Sequence, residues 1–224
     1  MTINLKREQE STLQRPCLTY SLASQVFFFG MDVLAGRKNS LQKAKLLEIL
    51  ASVPYREWEI KQYYTLSLSY FAKKKVDWAQ EIMHWGRQAQ DNEYMHLLLI
   101  EEKMKEDKLK NKWFLYTPIV LLILFSYVFF SKLVACINIK TAFAFNGAFE
   151  DHAEHIYAHM VQENPQWETQ KANNPTVKEY GDFSNWADVF RRISLDERDH
   201  RNHSFYYLNQ PEKIVSYEGM PPLK

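Results

Sequence analysis

Two short segments narrow the possible folds most: NEYMH at 92–96 and DERDH at 196–200. Each sets a glutamate three residues before a histidine, Glu93 with His96 and Glu197 with His200, where apolar residues recur at helical spacing. Three residues turn a helix by about 300°, so each Glu and His stand within about 60° of one another and reach one point beside the axis. The same faces carry Ala89 and Ile100 in the first helix, and Trp186, Phe190, Ile193 and Ser204 in the second. Ionisable groups therefore lie on inward stripes, where they are unfavourable unless paired or bound to metal. Two such helices, with one glutamate from each of two others, supply the ligands of a di-metal carboxylate bundle. Glu48, inside LLEIL, and Glu150, after NGAF, fill those places in chain order.

The rest of the chain agrees with helices. Ser40 is the expected N-cap of a helix through LQKAKLLEILASV, which Pro54 bends or splits before YREWEIKQYYTLSLSYFA. A second helix is expected from about Trp78, capped by Asp77, to about Lys105. A third begins at Glu150 and ends near Pro165. A late helical region covers Val177 to Leu208, with Gly181 and Asp182 or Ser184 as its start. No alternating run demands strands, so the fold class is all-α. Only 6 glycines in 224 residues argue against a Gly-rich nucleotide fold. A net charge of +1 argues against a nucleic-acid partner. Two cysteines cannot build a disulfide framework.

A mean hydropathy of −0.43 excludes a polytopic membrane protein, yet Trp113 to Ser131 is nineteen residues without a charge, flanked by Lys110, Lys112 and Lys132. That length suffices to cross a bilayer. A single crossing would separate the helices of Glu93 and Glu150, which must meet at one centre. The run is therefore read as a monotopic anchor lying along the membrane, with Trp113, Tyr116 and Tyr127 suited to the interface. The expected organisation is a polar N-terminal tail at 1–16, read as loose, a di-iron domain at 17–210 containing the anchor at 113–131, and a C-terminal tail at 211–224. His152, His155 and His159 suggest a membrane histidine box, but seven histidines in the chain are too few for one. His152 also lies about 200° around the helix from Glu150.

At these segments the chain resembles the alternative oxidase family, and its plastid terminal oxidase branch in particular. LLEILASVPY, NEYMHLLLIEE, FEDHAEHIY and WADVFRRISLDERDH resemble that family's four ligand segments in order, over roughly residues 25 to 208. The resemblance implies a ferritin-like four-helix bundle with additional membrane-facing helices and two non-haem iron ions held by Glu48, Glu93, His96, Glu150, Glu197 and His200. It implies a redox role for Tyr157, which at seven residues past Glu150 returns to within about 20° of that glutamate's direction. Asn92 and Asp196 match positions that orient the ligands. Lys43, Leu47 and Ala153 match the quinol cavity. Lys43 stands where the family usually has arginine, keeping the charge and losing the planar fork.

The function implied is a quinol:oxygen oxidoreductase that oxidises plastoquinol or ubiquinol and reduces O2 to water without pumping protons. Its partners are a membrane quinol, O2 and one membrane leaflet, and a homodimer is compatible with it. The absence of a transit-peptide pattern fits a thylakoid or bacterial inner membrane and a bacterial or phage-encoded enzyme. Two alternatives stand beside it: a di-iron quinone-ring hydroxylase of the demethoxyubiquinone type, and a non-enzymatic ferritin-like iron-binding protein.

Overall fold

A computed structural model describes residues 3–223 of the chain. Among them are eight α-helices and no strand beyond one isolated bridge between Lys171 and Asn185. They are α1 (Leu5–Gln14), α2 (Leu22–Ala35), α3 (Leu41–Ser69), α4 (Lys73–Glu106), α5 (Thr117–Ile137), α6 (Ile139–Glu163), α7 (Pro175–Tyr180) and α8 (Trp186–Tyr207). Helices α3, α4, α6 and α8 form a four-helix bundle, with α3 packed chiefly on α4 and α6 chiefly on α8. Cross-contacts fix the directions. Tyr157 meets Glu48 while Tyr55 meets Glu150, so α3 and α6 are antiparallel. His96 meets Asp196 while Glu93 meets His200, so α4 and α8 are antiparallel as well. The bundle is all-α, as the periodicity requires.

Local chemistry sets the helix ends, and several differ from the sequence-based bounds. Ser40 does cap α3, accepting from the Lys43 amide at 3.2 Å. Pro54 does not split that helix, which runs unbroken from Leu41 to Ser69 with the proline buried against the side chains of α5 and α6. Helix α4 starts at Lys73 rather than near Trp78, because Asp77 makes no cap and Lys73 to Lys75 carry the helix back to the turn at 70–72. Helix α6 starts eleven residues before Glu150, at Ile139, where the Asn138 side chain accepts from the Lys140 amide at 3.0 Å. Its glycine does not break it: Gly147 lies against Phe205 of α8, and a Cβ there would meet that ring at 3.0 Å. The late region divides at Gly181 into α7 and α8. Asn185, not Asp182 or Ser184, caps α8, accepting from the Asp188 amide at 2.9 Å.

Residues 5–14 are helical and packed rather than loose. Helix α1 docks on α6 and α8 through a buried charge cluster. Glu154 of α6 accepts from Thr12 at 2.7 Å, from Arg15 at 2.5 Å and from Arg198 of α8 at 2.8 Å. Arg198 also reaches Glu8 at 2.6 Å. Burial tends to raise the Glu154 carboxyl, but the Arg198 and Arg15 charges hold it below its ordinary range.

Helices α2 and α5 pack outside the bundle. Each leaves a stripe of apolar side chains exposed: Leu22, Val26, Phe29 and Val33 on α2, and Leu122, Phe125, Phe129 and Leu133 on α5. The spacing within each stripe is that of one helix face. Between the two helices lies an open apolar groove of about 840 Å³, floored by Leu50 of α3 and Phe145 of α6. Helix α5 is long and apolar enough to cross a membrane, and 17% of its most apolar window is buried. Such low burial is unlike a core helix of a soluble domain.

Candidate metal centre

At the middle of the bundle each of the four helices turns one inward stripe toward the same point, and the ionisable side chains named from the sequence meet there. Glu48, Glu93, His96 and Glu197 offer ligand atoms that all lie within 4.8 Å of one another. So do Glu93, Glu150, Glu197 and His200. The two groups share Glu93 and Glu197. They therefore describe two adjacent sites joined by two carboxylates, with Glu48 and His96 at one end and Glu150 and His200 at the other.

All six side chains are buried. Both imidazoles turn Nδ1 inward, His96 to 3.2 Å from Glu197 and 3.5 Å from Glu48, His200 to 2.7 Å from Glu93. Outside the cluster these inward atoms have no hydrogen-bond partners: one oxygen each of Glu48 and Glu150, both oxygens of Glu93 and Glu197, and Nδ1 of both histidines. Buried polar atoms are normally satisfied, so eight orphans aimed at one point define a donor set that cations complete. Hard carboxylate oxygens with imidazole nitrogen suit a first-row metal that changes oxidation state.

The electrostatics without a cation carry the same message. Burial, then repulsion from Glu93 and Glu197, holds Glu48 and Glu150 well above the usual carboxylate range. At Glu93 burial also works upward, but the His200 and His96 rings override it and hold the group low. Burial disfavours the imidazolium form, yet the surrounding acids raise His96 and His200 well above an ordinary histidine. Such a cluster of buried acids favours positive charge among its carboxylates, which a bound cation would supply.

Around the ligands lies a ring of positioning groups. His96 Nε2 faces Asp196 Oδ2 at 3.2 Å, and the Asn92 amide donates to the same oxygen at 3.3 Å. Tyr180 and Arg192 also donate to Asp196. Burial pushes the Asp196 carboxyl up, but Arg192 and His96 hold it low, so it stays an acceptor that aims Nδ1 of His96 inward. Tyr157 of α6 donates to Glu48 of α3. Tyr55 of α3 donates to Glu150 of α6 at 2.7 Å. Each tyrosine stands seven residues after one terminal glutamate and bonds the other, an exchange that the antiparallel helices impose. Asn146, one turn before Glu150, donates to Glu150 Oε1 at 3.0 Å and to the Tyr55 and Ser204 oxygens at 3.1 and 3.2 Å.

Tyr55, Asn146, Tyr180 and Arg192 were not singled out from the sequence. The signal for Tyr55 was present, since Glu48 and Tyr55 repeat the seven-residue spacing of Glu150 and Tyr157. Asn146 is hidden because the sequence signal for that helix begins only after it. Tyr180 comes from a separate short helix, which no spacing rule connects to Asp196.

Lys43 is buried and pairs with Asp32 of α2 at 2.5 Å. Leu47 and Ala153 are fully packed in the apolar cluster that includes Phe28, Phe149 and Tyr157. A cavity of about 220 Å³ reaches Glu48 and Glu93 from beside α5, between Ser52, Arg56, Tyr94 and Leu124. The other histidines stay outside. The His152 ring stacks on Phe28 at 4.1 Å, and the His155 nitrogens face the Asp151 and Arg15 carbonyls. Cys17, Asp151 and His155 also lie close together. That cluster lacks the orphan character of the centre, because Arg201, the Leu18 amide and Tyr20 already bond Asp151.

The model of the alternative oxidase family matches residues 5–207, and the chain belongs to that family. No curated protein matches it. The match covers α1 through α8, so it includes the docked N-terminal helix as well as the bundle. Members are membrane-associated di-iron quinol oxidases, and the paired carboxylate and histidine groups fit two iron ions.

Proposed function

We propose that this alternative oxidase is a terminal oxidase that takes plastoquinol or ubiquinol from one membrane leaflet and reduces O2 to water without moving protons across the membrane. The observation that carries the reading is the pair of overlapping ligand groups sharing Glu93 and Glu197. Glu48, Glu93, His96 and Glu197 would hold one iron, and Glu93, Glu150, Glu197 and His200 the other. A bound iron pair supplies an O2-binding redox site able to accept and pass on several electrons. Two quinols give four electrons and four protons, which together convert one O2 to two waters. No proton need come from the far side.

The chain's own groups divide the remaining work. Tyr157 would supply an electron to the iron-bound site and pass its proton to Glu48, a role that its hydrogen bond to that carboxylate supports. Asp196, fixed by Arg192, Asn92 and Tyr180, would accept from His96 Nε2 and so leave Nδ1 as the inward-facing, metal-binding nitrogen. The exposed stripes of α2 and α5 form the face that lies in the leaflet, and the groove between them suits an isoprenoid quinol. Lys43, Leu47 and Ala153 line the quinol path by resemblance. The cavity beside Arg56 and Tyr94 also leads from α5 to two ligands. Substitution at Lys43 should raise the quinol KM if the first path is used, and substitution at Arg56 should do so if the second is.

The deciding experiment is oxygen uptake by the purified, iron-loaded chain with plastoquinol or ubiquinol analogues. The reading requires haem-free, cyanide-resistant uptake with quinone as the only organic product. A product one oxygen heavier would instead identify a ring hydroxylase. Failure to turn over either quinol with both irons bound would overturn the oxidase assignment.

A further inference from the structure

A second cavity, of about 700 Å³, lies away from the metal centre between the C-terminal half of α3, the start of α4 and the end of α5. Its wall combines two kinds of surface. Ile60, Tyr64, Leu68 and Trp78 are apolar or aromatic, while Lys61, Lys74, Lys75 and Lys132 bring four ammonium groups from three helices. No salt bridge joins any of these lysines to an acid among the described residues, and Glu57 is the single carboxylate in the wall.

Two observations show that this surface lacks a counterpart. Lys73, Lys74 and Lys75 occupy the first turn of α4, which has no acidic residue and no side-chain cap. Positive charge at the positive end of a 34-residue helix is unfavourable, and an anion there would satisfy both the lysines and the free amides. In addition, Glu57 is 8% exposed and its Oε2 has no hydrogen-bond partner. A ligand for this cavity should offer an anionic group to the lysines, a hydroxyl to Glu57, and apolar carbons to Ile60, Leu68 and Trp78. Free phosphate offers only the first.

Position selects the source. Lys132 and Cys136 come from the last turns of α5, beside exposed Leu133 and Ile137. If α5 lies in a leaflet, which rests on the membrane attachment proposed above, the cavity stands where headgroups meet acyl chains. We propose that it binds the headgroup of an anionic membrane lipid of the phosphatidylglycerol type. The phosphate is held by Lys74, Lys75 and Lys132, with Lys61, whose Nζ also donates to the Ala135 carbonyl, adding its charge beside them, and a headgroup hydroxyl donates to Glu57.

The test is sedimentation of the iron-loaded full chain with phosphatidylcholine vesicles, with and without phosphatidylglycerol. The wild type should bind the anionic vesicles several-fold more tightly. Lys74→Glu with Lys75→Glu, and separately Lys132→Glu, should remove that advantage while leaving binding to neutral vesicles, helix content and iron content unchanged. Lys178→Glu, an exposed lysine on α7, should leave the advantage intact. Equal loss from Lys178→Glu, or no loss from the cavity variants, would reduce the effect to general surface charge and overturn the site. If the wild type binds neither vesicle, the membrane reading fails. The cavity then stands or falls on soluble lysophosphatidylglycerol, titrated by the fluorescence difference between wild type and Trp78→Phe. Saturable binding abolished by the double lysine variant supports it, and absence of binding, or an equal response to inorganic phosphate, overturns it.

Discussion

The shared glutamates make the six ligands unequal. Glu93 and Glu197 belong to both groups, whereas Glu48 and Glu150 each belong to one. Glu93→Ala is therefore expected to lose both irons and Glu48→Ala only one, read as metal per chain by atomic absorption. Tyr157→Phe keeps the ring and removes the proton donor to Glu48. It should lower kcat by about 10²-fold or more with iron content unchanged, and unchanged kcat would exclude a proton-transfer role. Tyr55→Phe leaves Glu150 Oε1 only its Asn146 donor. The expected cost is about 1–3 kcal/mol of stability, measured by chemical denaturation. At this scale the ligands were legible because Glu and His at spacing three, set on apolar stripes, conflict with burial unless metal is present. Asn146 and Tyr55 were not, because their role depends on which carboxylate of another helix they meet.

Helix α1 is held to the bundle largely by charge. The sign of the Glu154 effect follows from its depressed carboxyl: stability from the Arg198 and Arg15 pairs is fully present above the unfolded value of about 4.3 and is lost as pH falls through the lower folded value. Thermal midpoints followed from neutral pH down should thus drop below about pH 4.3 in the wild type, and Glu154→Gln should flatten that part of the curve. The neutral variant should also be less stable at pH 7, by about 1–3 kcal/mol, because Arg198 loses one charged acceptor and keeps Glu8 as the other. Gly147 offers a second test. A methyl at this position meets the buried Phe205 ring at 3.0 Å, so Gly147→Ala should cost about 1–3 kcal/mol by pushing α6 from α8. Sequence patterning located all four bundle helices but misplaced the starts of α4, α6 and α8. Several residues in each stretch have capping chemistry, and only the packed chain shows which one sits at the first turn. The mixed charges of the first sixteen residues read as a loose tail because the partners of Glu8 and Arg15, Arg198 and Glu154, lie well over a hundred residues away.

Taken whole, the molecule has a polar bundle around its ligands and one apolar face made by α2 and α5. Replacing Phe125 and Phe129 together by serine removes exposed apolar area without touching the centre. The variant should float less with neutral vesicles while retaining both irons and its fold. Full retention of vesicle binding would place the attachment elsewhere. Residue order alone shows that this chain is helical, that it carries two Glu-x-x-His helices with two further glutamates, and that one uncharged run departs from an otherwise polar composition. These follow from periodicity and from the unfavourable energy of burying unpaired charge, both of which are local properties of the chain. What those signals do together emerges only from the packing of the helices. It made Glu93 and Glu197 common to two groups, crossed Tyr55 and Tyr157 onto each other's glutamates, and set α2 beside α5 as one surface. Antiparallel packing brings together residues about a hundred positions apart, and spacing along a single helix carries no information about that registry.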